Sequence, residues 1–102
     1  MNRSLGLCVT TPGCAGHVAG LLEAAQRKGI RVEVFLTGDG VEVIRDPRFS
    51  VLLAADRVAV CEVSFLQRGF RLDGVQGLEY RDLTTQAFNA DIVARCDRYL
   101  VL

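Results

Sequence analysis

Apolar residues are grouped along this 102-residue chain in a pattern that predicts alternating strands and helices. Residues 5–10 form a nearly continuous apolar run, which is typical of a strand buried on both faces of a parallel sheet. A helix is predicted next because apolar residues recur at helical spacing, and Gly29 is suited to end it. The apolar positions of this helix are Ala15, Val18, Ala19, Leu22 and Ala25.

The same alternation continues to the end of the chain. Further strands are predicted at residues 30–36, 57–61, 78–82 and 97–102. Short helices are predicted at residues 41–44, 49–55 and 62–68. A last helix is predicted to run to Arg95, with Thr84 as its N-cap and with Leu83 and Phe88 forming a hydrophobic staple.

This β-α-β-α-β-α-β-α-β order predicts one α/β domain over residues 1–102. The expected fold is a three-layer α/β/α sandwich with a mostly parallel, Rossmann-like sheet of about five strands. In such sheets, ligands and chemistry lie beyond the carboxyl ends of the strands. Residues 11–14, 37–40 and 61–64 are therefore expected at the functional edge.

The charge balance narrows the classes of function. Twelve basic residues offset twelve acidic ones, and 50% of the residues are apolar. This composition excludes a disordered chain and argues against direct nucleic-acid binding through bulk positive charge. The longest apolar run, residues 51–55, is far shorter than the ~20 residues of a membrane helix. Because no signal sequence follows Met1, we expect a cytoplasmic protein without a membrane partner.

The mean hydropathy of +0.26 is high for so small a chain. A domain of this size buries only about two-thirds of its unfolded surface. We therefore expect other subunits to cover part of the apolar surface, in a homo-oligomer or a hetero-oligomer.

Cys61 is the leading candidate for chemistry among the four cysteines. It ends a predicted strand and opens a helix, where unpaired N–H groups and the helix dipole favour a nucleophilic thiolate. Ser64 and Arg68 follow on roughly the same helical face. The alternative is that Cys61 is a small buried hydrophobe.

Cys14 is the second candidate because it lies near the start of the first helix, with His17 three residues later as a base or hydrogen-bond partner. Cys8 and Cys96 are interpreted as packing residues. The four cysteines lack the spacing of a zinc site, so no metal is expected.

Residues Gly38, Asp39 and Gly40 allow two interpretations. They form either a phosphate-holding turn or a tight turn that needs a positive φ. The segment satisfies neither the GxGxxG pattern nor the P-loop pattern, which favours the conformational interpretation.

Three stretches of the chain match a known pattern when taken together. They are residues 34–41 (VFLTGDGV), residues 61–69 (CEVSFLQRG) and residues 96–102 (CDRYLVL). In these stretches the chain resembles the DsrE/DsrF/DsrH (TusD/TusC/TusB) sulfur-relay family. The first is similar to a family segment of the form F…DGV, the second to the Cys-x6-Arg-Gly stretch of the DsrE/TusD subunit, and the third to the closing strand. The order of elements agrees over nearly the whole chain.

The resemblance implies a sulfurtransferase-like carrier, often trimeric or hexameric, that needs no cofactor. Cys61 would hold persulfide sulfur between a sulfur-donor and a sulfur-acceptor protein, with Cys14 as an accessory thiol if their loops meet. Ser64, Arg68, His17 and residues 38–40 would then contact substrate or partner. Two alternatives stay open: a non-catalytic oligomeric interaction module of the same fold, and a small anion- or nucleotide-binding domain.

Overall fold

One five-stranded sheet organises the protein, as a computed structural model describing residues 3–102 shows. The strands are β1 (Ser4–Val9), β2 (Arg31–Leu36), β3 (Arg57–Cys61), β4 (Leu83–Thr84) and β5 (Arg98–Val101). The helices are α1 (Ala15–Arg27), α2 (Phe49–Leu52), α3 (Glu62–Gln67) and α4 (Gln86–Arg95). Segments of 3-10 helix cover Gly38–Arg45, Leu72–Gly74 and Tyr80–Asp82. Met1 and Asn2, part of the segment in which no signal sequence was expected, lie outside the described residues.

The strands are arranged in the order β4-β3-β2-β1-β5, and every neighbouring pair is parallel. The register places Val9 opposite Leu36, and Leu36 opposite Val60. The carboxyl ends of β1, β2 and β3 therefore lie together at one edge of the sheet. The predicted parallel, Rossmann-like α/β fold is confirmed.

Apolar side chains cover both faces of the central strands. The larger cluster joins one face of the sheet to α1, to α2 and to Phe65 of α3. The smaller cluster joins the opposite face to α4 through Ile92. It consists of Cys8, Phe35, Ala59, Cys61 and Ile92. This two-sided burial explains why β1, β2 and β3 show long apolar runs in the sequence.

A buried ion pair fastens the end of α4 to the sheet. Glu33 of β2 lies on the α4 face and is only 4% exposed. Its carboxylate accepts hydrogen bonds from the guanidinium of Arg95, and Arg31 approaches it to 3.9 Å. A buried carboxylate without such partners would be strongly destabilising, so the pairing determines where α4 ends on the sheet.

The predicted strand at residues 78–82 is wrong. Tyr80–Asp82 forms a turn of 3-10 helix, and β4 begins at Leu83. The cause is Asp82, whose buried carboxylate pairs with Arg57 and accepts the N–H of Glu79 at 2.9 Å. An inward carboxylate bonded to its own turn keeps this segment out of the sheet.

The start of α4 also differs from the prediction. Thr85, not Thr84, is the N-cap, and its hydroxyl accepts the N–H of Ala87 at 3.2 Å. Thr84 is instead paired with Cys61 in the sheet. The staple predicted for Leu83 and Phe88 therefore falls one residue out of position.

Two helices after β2 also have different bounds from those predicted. The helix predicted at residues 41–44 is part of the 3-10 segment Gly38–Arg45, and α2 ends at Leu52 rather than at residue 55. Among residues 3–102, no helix combines the length and the apolarity that crossing a membrane requires.

Gly40 lets the chain after β2 pass directly over the end of β1. A Cβ atom at this position would lie 1.9 Å from the carbonyl oxygen of Val9 and 2.8 Å from the nitrogen of Thr10. Both neighbours are backbone atoms of the sheet edge and cannot move aside as a side chain would. The absence of a side chain at Gly40 is therefore a packing requirement.

We predict that Gly40→Ala lowers the free energy of unfolding by at least ~1–3 kcal/mol, the usual cost of overpacking a core. Urea denaturation measures the change. Gly20→Ala is the matched control, because a Cβ there meets nothing within 4 Å. The control is expected to be neutral or to stabilise α1 by roughly 0.5–1 kcal/mol. Equal unfolding midpoints for the two variants would contradict the packing argument.

Candidate active site around Cys61

Cys61 lies at the functional edge, where β3 passes directly into α3. It is the last residue of β3 and the N-cap of α3. Its side chain belongs to the smaller apolar cluster and is 7% exposed. The thiol is therefore largely sheltered from water at a position where strand and helix meet.

The segment after β2 contacts the segment after β3, as their positions in the sequence suggested. The N–H of Gly38 donates a hydrogen bond to Oγ of Ser64 at 3.0 Å. The N–H of Thr37 donates to the carbonyl oxygen of Val9 at 3.0 Å, which fastens the same segment to β1. Gly38 has φ +56°, so the conformational interpretation holds for this glycine.

Cys61 has a pKa below its usual value. Burial raises the pKa, but hydrogen bonding to the ionised sulfur outweighs it. The lowering comes from the hydroxyl and N–H of Ser64, from the hydroxyl of Thr37 and from the N–H of Val63. These donors belong to two different segments, so the fold is needed to assemble them around one sulfur atom.

Thr37 is a site residue that the sequence did not single out. It lies in the expected edge segment, but hydroxyl residues at strand ends are common and carry no signal of their own. Only the parallel pairing of β2 and β3 brings it to Cys61, 24 positions further along the chain.

Arg68 and Asp39 form an ion pair that joins the far end of α3 to the segment after β2. Arg45 supports this end by donating to the carbonyl oxygen of Arg68 at 3.3 Å and by lying over the ring of Phe70 at 4.3 Å. Asp39 is mostly exposed, so the pair contributes little to stability. Its role in the site is to hold two loops together rather than to contact the sulfur.

Cys14 is placed differently from Cys61. It is the N-cap of α1, is half-buried and packs against the larger apolar cluster, whereas Cys61 faces the smaller one. Its thiol donates to the carbonyl oxygen of Thr11 at 3.4 Å, and His17 is exposed on α1. The two thiols thus face opposite layers of the sandwich.

Cys8 and Cys96 both lie on the α4 side of the sheet. Cys8 is buried within β1, and Cys96 is half-buried after α4. Burial and the neighbouring carboxylate of Glu33 raise the pKa of Cys96. Among the described residues, no group of three or more His, Cys, Asp or Glu side chains is placed to hold a metal ion.

A scan against protein-family models and a search of curated proteins found no match to this chain. The assignment of function therefore depends on the geometry around Cys61.

The pKa shifts predict different pH profiles for two thiols of the same protein. Thiolate is the form that iodoacetamide alkylates. The alkylation of Cys61 is therefore expected to reach half its maximal rate at a lower pH than that of Cys96. Peptide mass mapping after timed alkylation at graded pH separates the two sites.

Ser64→Ala removes one hydroxyl donor and should move the Cys61 profile towards higher pH while leaving that of Cys96 in place. Ser50→Ala is the control, since its hydroxyl donates to the carbonyl oxygen of Pro47, in a different part of the fold. A Cys61 profile at or above that of Cys96 would show that the surrounding donors do not stabilise the thiolate.

Proposed function

We propose that this protein carries sulfane sulfur as a persulfide on Cys61 and passes it to a cysteine of a partner protein. The observation that carries the proposal is the position of Cys61, a sheltered thiol at the end of β3 and the N-cap of α3, beside Thr37 and Ser64. Hydrogen bonds from these neighbours also lower the pKa of the thiol. The resemblance of residues 61–69 to the persulfide-bearing stretch of the DsrE/TusD subunit supports the same function.

The chemistry consists of two displacements at sulfur. In the first, the Cys61 thiolate attacks the outer sulfur of a donor persulfide, so a new S–S bond forms and the donor leaves as a thiolate. In the second, an acceptor thiolate attacks the outer sulfur held on Cys61, and Cys61 leaves as a thiolate. Each step breaks one S–S bond and forms another, so no oxidant or reductant is consumed.

The donors around Cys61 assist both displacements. They stabilise the thiolate before the first attack, and they stabilise it again when Cys61 is the leaving group of the second. A leaving thiol with a lower pKa departs faster, so the same hydrogen bonds favour loading and release. A carrier needs both steps, because sulfur that cannot leave is trapped.

The proposed partners are proteins that reach Cys61 across α3. Val63 and Leu66 are 63% and 59% exposed on this short helix, directly after the cysteine. A partner that covers them would bring its own cysteine to Cys61 while excluding water. Leu100 and Val101 are exposed on the edge strand β5 and favour subunit contacts there, in a homo-oligomer or a hetero-oligomer. The reducing cytoplasm is the compartment in which such a thiol stays available.

A non-catalytic interaction module is the second candidate, and the same exposed apolar side chains favour it. Binding of a nucleotide or another anion at residues 38–40 has less support. Gly40 is packed against the end of β1, and the carboxylate of Asp39 repels anions and already pairs with the cation Arg68.

Intact-mass measurement tests the carrier directly. The reduced protein is incubated with inorganic polysulfide, and its intact mass is then measured by mass spectrometry. We expect a gain of one sulfur atom in the wild type and in Cys96→Ser, and none in Cys61→Ser. A subsequent incubation with a thiol acceptor should remove the added sulfur from the wild type.

An adduct that persists in Cys61→Ser would assign the sulfur to another cysteine. If the folded wild type gains no sulfur, the carrier proposal is overturned and the interaction module is the remaining candidate. Because Cys61 is nearly buried, circular dichroism of Cys61→Ser confirms that the variant has folded.

A further inference from the structure

Gln86 is the first residue of α4, and its side chain reaches across to the end of β2. Its Nε2 donates a hydrogen bond of 2.9 Å to Oγ1 of Thr37, 49 positions away in the sequence. We propose that Gln86 is a positioning residue for Cys61, which acts by directing the proton of the Thr37 hydroxyl at the sulfur.

The argument starts from the bonding capacity of a hydroxyl group. A threonine hydroxyl has one proton to donate and two lone pairs that accept. Thr37 lies beside Cys61, because each directly follows a residue of the pair Leu36 and Val60 in the parallel sheet. The amide of Gln86 occupies a lone pair of Thr37, so the single proton of Thr37 stays available for the neighbouring sulfur. A free hydroxyl would rotate among several acceptors and present its proton to the sulfur only part of the time.

Ser64 shows the same arrangement on the other side of the sulfur. Its hydroxyl accepts the N–H of Gly38 at 3.0 Å, and hydrogen bonding from Ser64 helps to lower the pKa of Cys61. Two hydroxyl groups therefore serve the thiolate, and each is oriented by a further donor behind it. Chains of this kind strengthen each bond by polarisation. A backbone N–H orients Ser64, whereas a side chain, which mutation can replace, orients Thr37.

Charged groups do not explain the lowered pKa of Cys61, because hydrogen bonds produce the lowering against the opposing effect of burial. Glu62 is the charged residue that follows Cys61 on α3. Three ion pairs occupy further charged side chains on the surrounding elements: Asp39 with Arg68, Arg57 with Asp82, and Arg95 with Glu33. Asp91 is exposed on α4. The effect of Gln86 thus runs through Thr37 and not through a change in local charge.

This inference deepens the proposed function because it concerns the same thiolate. Its test measures the thiol and not the sulfur transfer, so the two proposals fail separately. If Cys61 never accepts sulfur but its pKa depends on Gln86, only the sulfur-carrier proposal is overturned.

The experiment measures the pH dependence of Cys61 alkylation by iodoacetamide in the full chain, with peptide mass mapping. Gln86→Leu removes the donor without changing the local charge and is the variant that tests positioning. Gln86→Glu replaces the donor with an acceptor that turns the Thr37 proton away, and its negative charge adds to the rise in pKa. We expect both to move the Cys61 profile to higher pH, with Glu the larger effect. Below the pKa, alkylation should slow roughly threefold to tenfold, since one pKa unit is a factor of ten.

Gln26→Glu is the matched control, because Gln26 donates an amide N–H to the carbonyl oxygen of Ala54, well apart from this site in the fold. It makes the same chemical change and should leave the Cys61 profile in place. The Cys96 profile reports on the far end of α4 and should be unchanged in the Gln86 variants.

A double-mutant cycle separates positioning from a structural effect. In a Thr37→Val background, Gln86→Leu should have no further effect on the Cys61 profile, since the hydroxyl that it orients is gone. A shift of equal size with and without Thr37, or a wild-type profile in both Gln86 variants, would overturn the proposal.

Discussion

The parallel pairing of β2 with β3 is the constraint on which the rest of the site depends. With Leu36 opposite Val60, the two strands end side by side, and Thr37 emerges next to Cys61. Side chains alternate between the two faces of a strand, so a slip of one residue would move Cys61 to the opposite face. Arg57 of β3 opposes that slip, because its guanidinium would lose Asp82 and the ring of Phe88, which lie on the side that it faces.

The chemistry of the site follows from neutral donors rather than from a neighbouring cation. Hydroxyl and N–H groups stabilise a thiolate without needing a charge of their own, and a largely buried position strengthens each of these bonds. Burial shelters the sulfur from water, but it also opposes ionisation of the thiol. At Cys61 the hydrogen bonds outweigh this opposing effect, so the pKa of the thiol is lowered. A sulfur carrier needs both properties, since it must form a thiolate and protect what the thiolate has accepted.

The elements of the fold that could be predicted are those whose side chains bury in a regular pattern. The runs that form β1, β2 and β3 and the helical spacing of α1 belong to this class. The errors after β2 concern the type and length of short helices. The misplaced strand lies at β4, where only two residues form the strand and the buried carboxylate of Asp82 holds the preceding residues in a 3-10 turn. A carboxylate in a sequence predicts a solvent-exposed residue unless its partner is known. The partner of Asp82 is Arg57, which is 25 positions away. Glu33 and Arg95 escaped prediction for the same reason.

The sequence by itself determined the alternation of strands and helices, the parallel sheet, and the position of Cys61 at a strand end. These features follow from local hydrophobic periodicity and from the rule that parallel strands present their carboxyl ends at one edge. Ser64 could be predicted because it follows Cys61 on the same short helix, but only the tertiary structure decided which other groups lie near the sulfur. Thr37 and Gln86 come from two further segments, and hydrogen bonds depend on distance and direction in space, which a linear pattern of residues does not encode. The same reason separates Cys14 from Cys61: both are N-caps of helices that come after a strand, but their side chains pack on opposite faces of the sheet.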